Sequence, residues 1–293
     1  MMLLKKLLSL AIVVIALPAS AQVLYKVEGN GLSSPSYIFG THHIAPISVI
    51  DQFGAKAPFE SAVQVVGEID MTQDPMQLAA AMQPHMMAPT DSTLSKVISA
   101  DVYDKVNEAF KKLAPMPGMD LSMLEPLKPV SVNTMIAVSL AQQAMPGYNP
   151  AEQLDTWFQT TGMSEGKKIV PLETVEQQAS ILFDSMPIAY QAEDLVEMLL
   201  DVQKAVSKTK ELSDAYLAQD IAKLLALSEA ENERPDFMKA LIDNRNADWL
   251  KKLPAIFNDG STFVAVGALH LAGEKGIVQG LRNLGYTVTP IKK

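Results

Sequence analysis

Two segments at opposite ends of the chain follow one pattern, an apolar run that stops at a glycine with a histidine three residues later. Tyr37-Ile38-Phe39 stops at Gly40 and leads through Thr41 and His42 to His43, while residues 262–266 stop at Gly267 and lead to His270. Each histidine is followed by an aliphatic residue, Ile44 or Leu271. After the first, residues 53–62 read as a helix and 63–69 as a second strand. After the second, Ile277, Leu281 and Leu284 give 273–283 a helical spacing, and 286–291 read as a closing strand. Such βαβ units imply parallel pairing with helices packed on the sheet. The fold expected is therefore α/β, an internally duplicated βαβ core with a mostly parallel central sheet.

Between these ends the apolar spacing is helical. Candidate helices cover 76–87, 102–113, 129–144, 151–161, 175–183, 189–206, 212–227 and 235–257, separated by breaks such as Ala114-Pro-Met-Pro-Gly118 and Asn149-Pro150. A single strand interrupts them at 168–172 and ends at Glu173. One domain over 22–293 is expected, its core drawn from 22–72, 166–175 and 258–293. The rest of 74–257 forms a large helical insertion that caps the core. No low-complexity linker marks a second domain.

The first 21 residues have the order of a secretory signal: Lys5 and Lys6, an apolar run over 7–17, Pro18, then Ala19-Ser20-Ala21. That apolar run is about half the roughly 20 residues a membrane span needs. Cleavage after Ala21 gives a periplasmic or secreted chain with no stable membrane anchor, and loss of the two lysines moves the formal charge from −9 to −11. An acidic chain without a dense Lys/Arg cluster argues against nucleic acid as a partner. With no cysteine, neither disulfides nor thiolate chemistry are open to it, so core burial must supply its stability. The sequence does not fix the oligomeric state.

In open parallel sheets ligands bind beyond the carboxyl ends of the strands. His43 and His270 both fall at that edge, and if their strands are neighbours the two imidazoles converge. Glu68, at the end of Val65-Val66-Gly67-Glu68, and Glu173 would sit at the same edge. Two imidazoles with one or two carboxylates make a reasonable shell for Zn, Mn or Co with a position open for water. Such a water can attack a carbonyl, or one glutamate can stay uncoordinated as general base. Capping or pairing roles for the glutamates remain open, and Asp70 suits a helix cap. Arg245 is one of only three arginines. It is suited to pairing with a carboxylate or stabilising an oxyanion, although Asp243 and Asp248 nearby also allow surface ion pairs. Eleven of the 16 methionines lie between Met71 and Met163, with Met82, Met86 and Met87 around His85. They suit an adaptable groove for an apolar or peptide ligand better than soft-metal capture.

Tyr37-Ile-Phe-Gly-Thr-His-His43, Val65-Val-Gly-Glu-Ile-Asp70, Pro171-Leu-Glu-Thr174, Arg245-Asn246 and Val266-Gly-Ala-Leu-His-Leu-Ala-Gly273 occur in this order along the chain. In these motifs the whole chain after residue 21 resembles the TraB/GumN family, which is similar to the animal TIKI proteases. The resemblance implies a metal-dependent hydrolase, peptidase-like, with an internally duplicated α/β core. It implies His43 and His270 as the signature positions, Glu68 and Glu173 as the acids and Arg245 as their polar partner.

Two functions follow as expectations. The first is an exported metal-dependent hydrolase of peptides or small molecules. Its divalent metal would sit on His43, His270 and Glu68, with Glu68, Glu173 and Arg245 in catalytic roles. The alternative is an exported, non-catalytic protein that captures a small apolar, peptide or metal ligand on the same scaffold.

Overall fold

β-branched and aromatic residues are concentrated at the two chain ends, and those runs become a sheet. The computed structural model describes residues 22–145, 147–230 and 234–292. The expected signal segment, 1–21, lies outside them. The chain opens with β1 (Leu24–Gly29), β2 (Ser36–Thr41), the short helices α1 (Val49–Gln52) and α2 (Lys56–Ser61), and β3 (Gln64–Gly67). Then come α3 (Pro75–Met86), α4 (Leu94–Val97), α5 (Ala100–Leu113), α6 (Pro129–Ala144) and α7 (Leu154–Ser164). β4 (Lys168–Pro171) is followed by α8 (Val175–Asp184), α9 (Ile188–Leu200), α10 (Val202–Leu217), α11 (Ile221–Ala230) and α12 (Pro235–Met238). A π-helical turn (Lys239–Asn244) joins α12 to α13 (Arg245–Asp259). The chain closes with β5 (Thr262–Gly267), a 3-10 turn (Ala268–Leu271), α14 (Ile277–Asn283) and β6 (Tyr286–Pro290).

The six strands form one mixed sheet in the order β4-β3-β5-β2-β1-β6. Pairing is parallel from β4 through β3 and β5 to β2, and antiparallel on both sides of β1, so β1 alone runs against the others. The strands before the two histidines are direct neighbours, with Gly40 opposite Val266 and Thr41 opposite Gly267. Within each βαβ unit, however, the strands do not pair with each other. β5 lies between β2 and β3, while β2 and β1 lie between β5 and β6. The two units therefore interleave, which local sequence cannot show because pairing is decided between distant segments. β5 accounts for the choice of centre: five of its six residues are buried, as a strand covered on both faces requires.

Three expected helices break where a side chain or backbone offers an exit. The run 189–206 divides at Asp201, whose carboxylate caps the next helix through the Lys204 amide at 3.0 Å. The run 212–227 divides at Gln219, which takes a left-handed φ of 56°. The run 235–257 contains the π turn.

Two apolar cores result. One packs around the sheet and includes Phe39, Phe158, Phe263, Trp249 and Leu253. The other lies among α4, α5, α6 and α9, built on Leu94, Phe110, Ile136 and Leu195. The insertion is thus only partly a cap, since α7, α11 and α13 bury Phe158, Leu224 and Trp249 in the sheet core. Among the described residues no helix is long and apolar enough to cross a membrane.

Candidate active site

The parallel pairing of β2 with β5 brings both glycine-to-histidine turns to one edge. Their approach is close enough that a Cβ on Gly40 would lie 2.9 Å from the Ala268 Cα. Gly67 likewise has the Gln159 side chain lying over it, where a Cβ would collide with the amide nitrogen. That amide donates to the Ile69 carbonyl at 3.0 Å and accepts from the Met71 amide at 2.9 Å, fixing the chain just after Glu68. β4 delivers Glu173 beside it, its amide donating to the Glu68 carbonyl at 2.9 Å. A capping box between Thr174 and Gln177 then starts α8 at once.

Arg245, the first residue of α13, is the hub of these acids. Its Nε donates to both Glu173 oxygens at 3.2 and 3.1 Å, and Nη2 donates to Glu173 Oε1 and Glu68 Oε2, both at 2.6 Å. Nη1 donates to the Leu241 carbonyl, inside the π turn, and to His270 Nε2, both at 3.0 Å. All five N–H groups of the guanidinium are therefore engaged. Trp249 lies under it, 4.7 Å from the Cζ to the ring centre. Gln178 of α8 joins the two acids from the other side, donating to Glu68 at 2.9 Å and to Glu173 at 3.1 Å.

Hydrogen bonds fix the tautomer of His270. The Asn246 amide nitrogen donates to the carbonyls of His270 and Lys275, so its oxygen faces His270 Nδ1 at 2.7 Å and must accept a proton from it. Nε2 is then the lone pair that receives the Arg245 proton. Burial first, and Arg245 after it, lower this imidazole to about 4, so it is uncharged at neutral pH. Burial opposes the charge on Glu68, yet the surrounding imidazoles, Arg245 and the Gly267 amide together hold it down at about 2. Because His270 is itself neutral at pH 7, the positive charge that keeps Glu68 ionised comes chiefly from the guanidinium.

His43 stands apart from this cluster. Its Nδ1 is 3.1 Å from Asp155 Oδ2, in the first turn of α7, and the other carboxylate oxygen accepts from the Thr41 hydroxyl at 2.7 Å. The Asp155 hydrogen bond first, and its charge second, raise His43 above the ordinary imidazole range. Its side chain is 69% open to water, so solvent screens that effect, and the opposite nitrogen, Nε2, is the one left to meet a ligand. His42 has a different partner. Its Nε2 lies 3.1 Å from Ser213 Oγ, whose own proton goes to the Thr209 carbonyl, and burial pushes the ring down to about 4.

His43, His270, Glu68 and Arg245 all line one pocket of about 420 Å3, as do His42 and Asp155, whereas Glu173 lies behind Arg245 and is not among the lining residues. Sequence reasoning missed Asp155, Gln178 and Asn246 as partners. Only Asn246 carried a signal, its place beside Arg245 in one of the motifs.

Among the described residues, no three His, Cys, Asp or Glu side chains stand close enough together to hold a metal ion. His43, His270 and Glu68 reach the same pocket, but the electron pairs of His270 and Glu68 already have partners. His270 Nε2 faces a guanidinium N–H, Glu68 Oε2 takes two donors and Oε1 takes the Gly267 amide. The Arg245 cation fills the space among His270 and the two glutamates that a metal would need. In this arrangement the donor set does not fit a divalent ion.

An α/β sheet with a pocket lined by ionisable side chains at its carboxyl edge defines the class. The chain belongs to the TraB/PrgY/gumN family, whose model matches residues 23–290. No curated protein and no solved structure gives a significant match.

Proposed function

We propose that this pocket is the active site of a hydrolase acting on a carbonyl compound, a peptide or a small molecule. The observation that carries the reading is the Asp155–His43 pair, an imidazole made more basic by a carboxylate on one nitrogen and open to the pocket on the other. Neutral His43 takes a proton from water through Nε2 as the water oxygen bonds to the carbonyl carbon. It returns that proton to the leaving group as the bond to that group breaks. Asp155 holds the ring by Nδ1, and Thr41 holds Asp155. Arg245 has no N–H to spare for an oxyanion, so its role is to hold Glu68, Glu173 and neutral His270 in place. Export on the N-terminal signal would put this activity in the periplasm or outside the cell.

The test is turnover of an ester, amide and peptide panel by the chain lacking residues 1–21, with chelator and with added Mn, Co or Zn. Turnover that survives chelation and is lost in His43→Ala supports the reading. Turnover only with added metal overturns the metal-free route and returns His43, His270 and Glu68 to the role of ligands. Retained ligand without turnover under any condition favours the non-catalytic binding protein.

A further inference from the structure

His42 precedes His43 in the chain and lines the same pocket, yet the proposed reaction gives it no role. Its ring is held before anything binds. Nε2 lies 3.1 Å from Ser213 Oγ of α10, the Tyr216 ring lies 5.2 Å away, and the His42 carbonyl accepts from the Ala45 amide at 2.9 Å. Because the Ser213 proton goes to the Thr209 carbonyl, Nε2 is the nitrogen that donates, and the lone pair of this uncharged ring falls on Nδ1. Among the described residues Nδ1 has no protein donor, and it is not sealed in the core, so it opens to the pocket that the ring borders. Leu212 and Leu224 line that pocket too, from α10 and α11. The oxygens of Glu68, Asp155 and Gln159 there already accept from protein groups. The Gln178 amide oxygen is a second open acceptor, tied to the two acids through its nitrogen.

We infer that His42 determines specificity: its Nδ1 accepts a hydrogen bond from an N–H of the substrate, so the substrates are amides, peptides included, rather than esters. The inference rests on the hydrolase reading and narrows it. An N–H entering a pocket with aliphatic walls gives up its water and needs a fixed acceptor in exchange, whereas an analogue without the donor leaves Nδ1 dry and unpaired. Since Ser213 and Tyr216 already fix the ring, little freedom is lost when the bond forms.

The experiment titrates the chain lacking residues 1–21 with N-methylhexanamide and with 3-octanone, which has a methylene in place of the N–H, and follows the His43 ring protons at pH 7.5. In His42→Phe, which keeps a ring against Tyr216 but has no Nδ1, the ratio of amide to ketone affinity is expected to fall about tenfold while ketone binding stays nearly unchanged. His42→Asn, whose side-chain oxygen replaces Nδ1 as an acceptor, should recover part of that ratio; His42→Leu serves in place of His42→Phe if the latter does not fold. An unchanged ratio in the variant without an acceptor overturns the inference and assigns the contact to Gln178 or to none. So does failure of the amide to bind the unaltered chain. Hexanoyl p-nitroanilide, an amide, reports turnover separately. A ratio that depends on His42 without turnover sinks the hydrolase reading and leaves the contact standing, whereas turnover with an unchanged ratio sinks this inference alone.

Discussion

Arg245 meets Glu173 edge-on inside the protein, its Nε and Nη2 donating to the two carboxylate oxygens at 3.1 and 2.6 Å with both side chains nearly closed to solvent. The same guanidinium also pairs with Glu68. Removing it leaves a buried Glu173 and a part-buried Glu68 without their cation, and breaking the buried pair with Glu173 costs about 3–5 kcal/mol. Arg245→Met is therefore expected to lose that much in urea unfolding, and adding Glu173→Gln to it should recover part of the loss. Arg245→Lys keeps the charge but not the fork, and should fall between. A loss below about 1 kcal/mol in Arg245→Met would show that the cluster tolerates the missing charge.

Much of this edge was legible in the sequence because it depends on local order. A glycine after an apolar run, with a histidine at the third position, marks a strand end, and two of them mark two ends of one edge. The same holds for Glu68 and Glu173, each closing an apolar run. What was hidden depends on distant packing. β1 separates β2 from β6 by antiparallel pairing that nothing in Leu24–Gly29 announces. Asp155 lies 112 residues from His43, and at the start of a helix an aspartate has an ordinary local explanation. Arg245 was readable as a partner for acids, but not as a side chain with every donor committed, since that requires the π turn to offer the Leu241 carbonyl.

Asp155→Asn removes the leading cause of the raised His43 value, so the ring should titrate at lower pH, followed by the His43 proton resonances. The sign for activity follows from the base role. Activity rises with pH as His43 loses its proton, and in Asp155→Asn that rise should move to lower pH while the plateau falls. Positioned acid–base groups contribute about 10²–10⁴ in rate, which bounds the loss of kcat. An unchanged His43 titration would break the link between the two residues.

His270 makes folding sensitive to acid. Its folded value of about 4 lies below the ordinary 6.5, so between those pH values the unfolded chain holds a proton that the folded chain does not. Stability is thus full above 6.5 and falls as the pH drops toward 4, by about 3 kcal/mol for this group. His42, lowered in the same way, adds to the fall. Glu68 acts in the same direction but at lower pH, between 4.5 and about 2. Urea midpoints measured from pH 7 to 4.5 should decline, and His270→Gln should decline less steeply. Equal slopes would mean that His270 is not buried neutral.

Gly40 tests whether the two strand ends must touch. A Cβ there would meet the Ala268 Cα at 2.9 Å, the Ala268 Cβ at 3.1 Å and Leu271 Cδ2 at 3.2 Å. All three atoms lie within two residues of His270, and the nearest is backbone, which cannot swing aside as a long side chain can. Gly40→Ala should therefore force β2 and the 3-10 turn apart, at an overpacking cost of about 1–3 kcal/mol. Because His43 follows on one side and His270 on the other, the displacement falls between them. A shift of about 1 Å at such a site can lower turnover by about 10² even in fully folded protein. The check is kcat/KM at a temperature where circular dichroism shows the variant to be folded. Full activity there would mean that the contact of Gly40 with Ala268 sets stability alone, and that the positions of the two imidazoles are held by Asp155 and Asn246 instead.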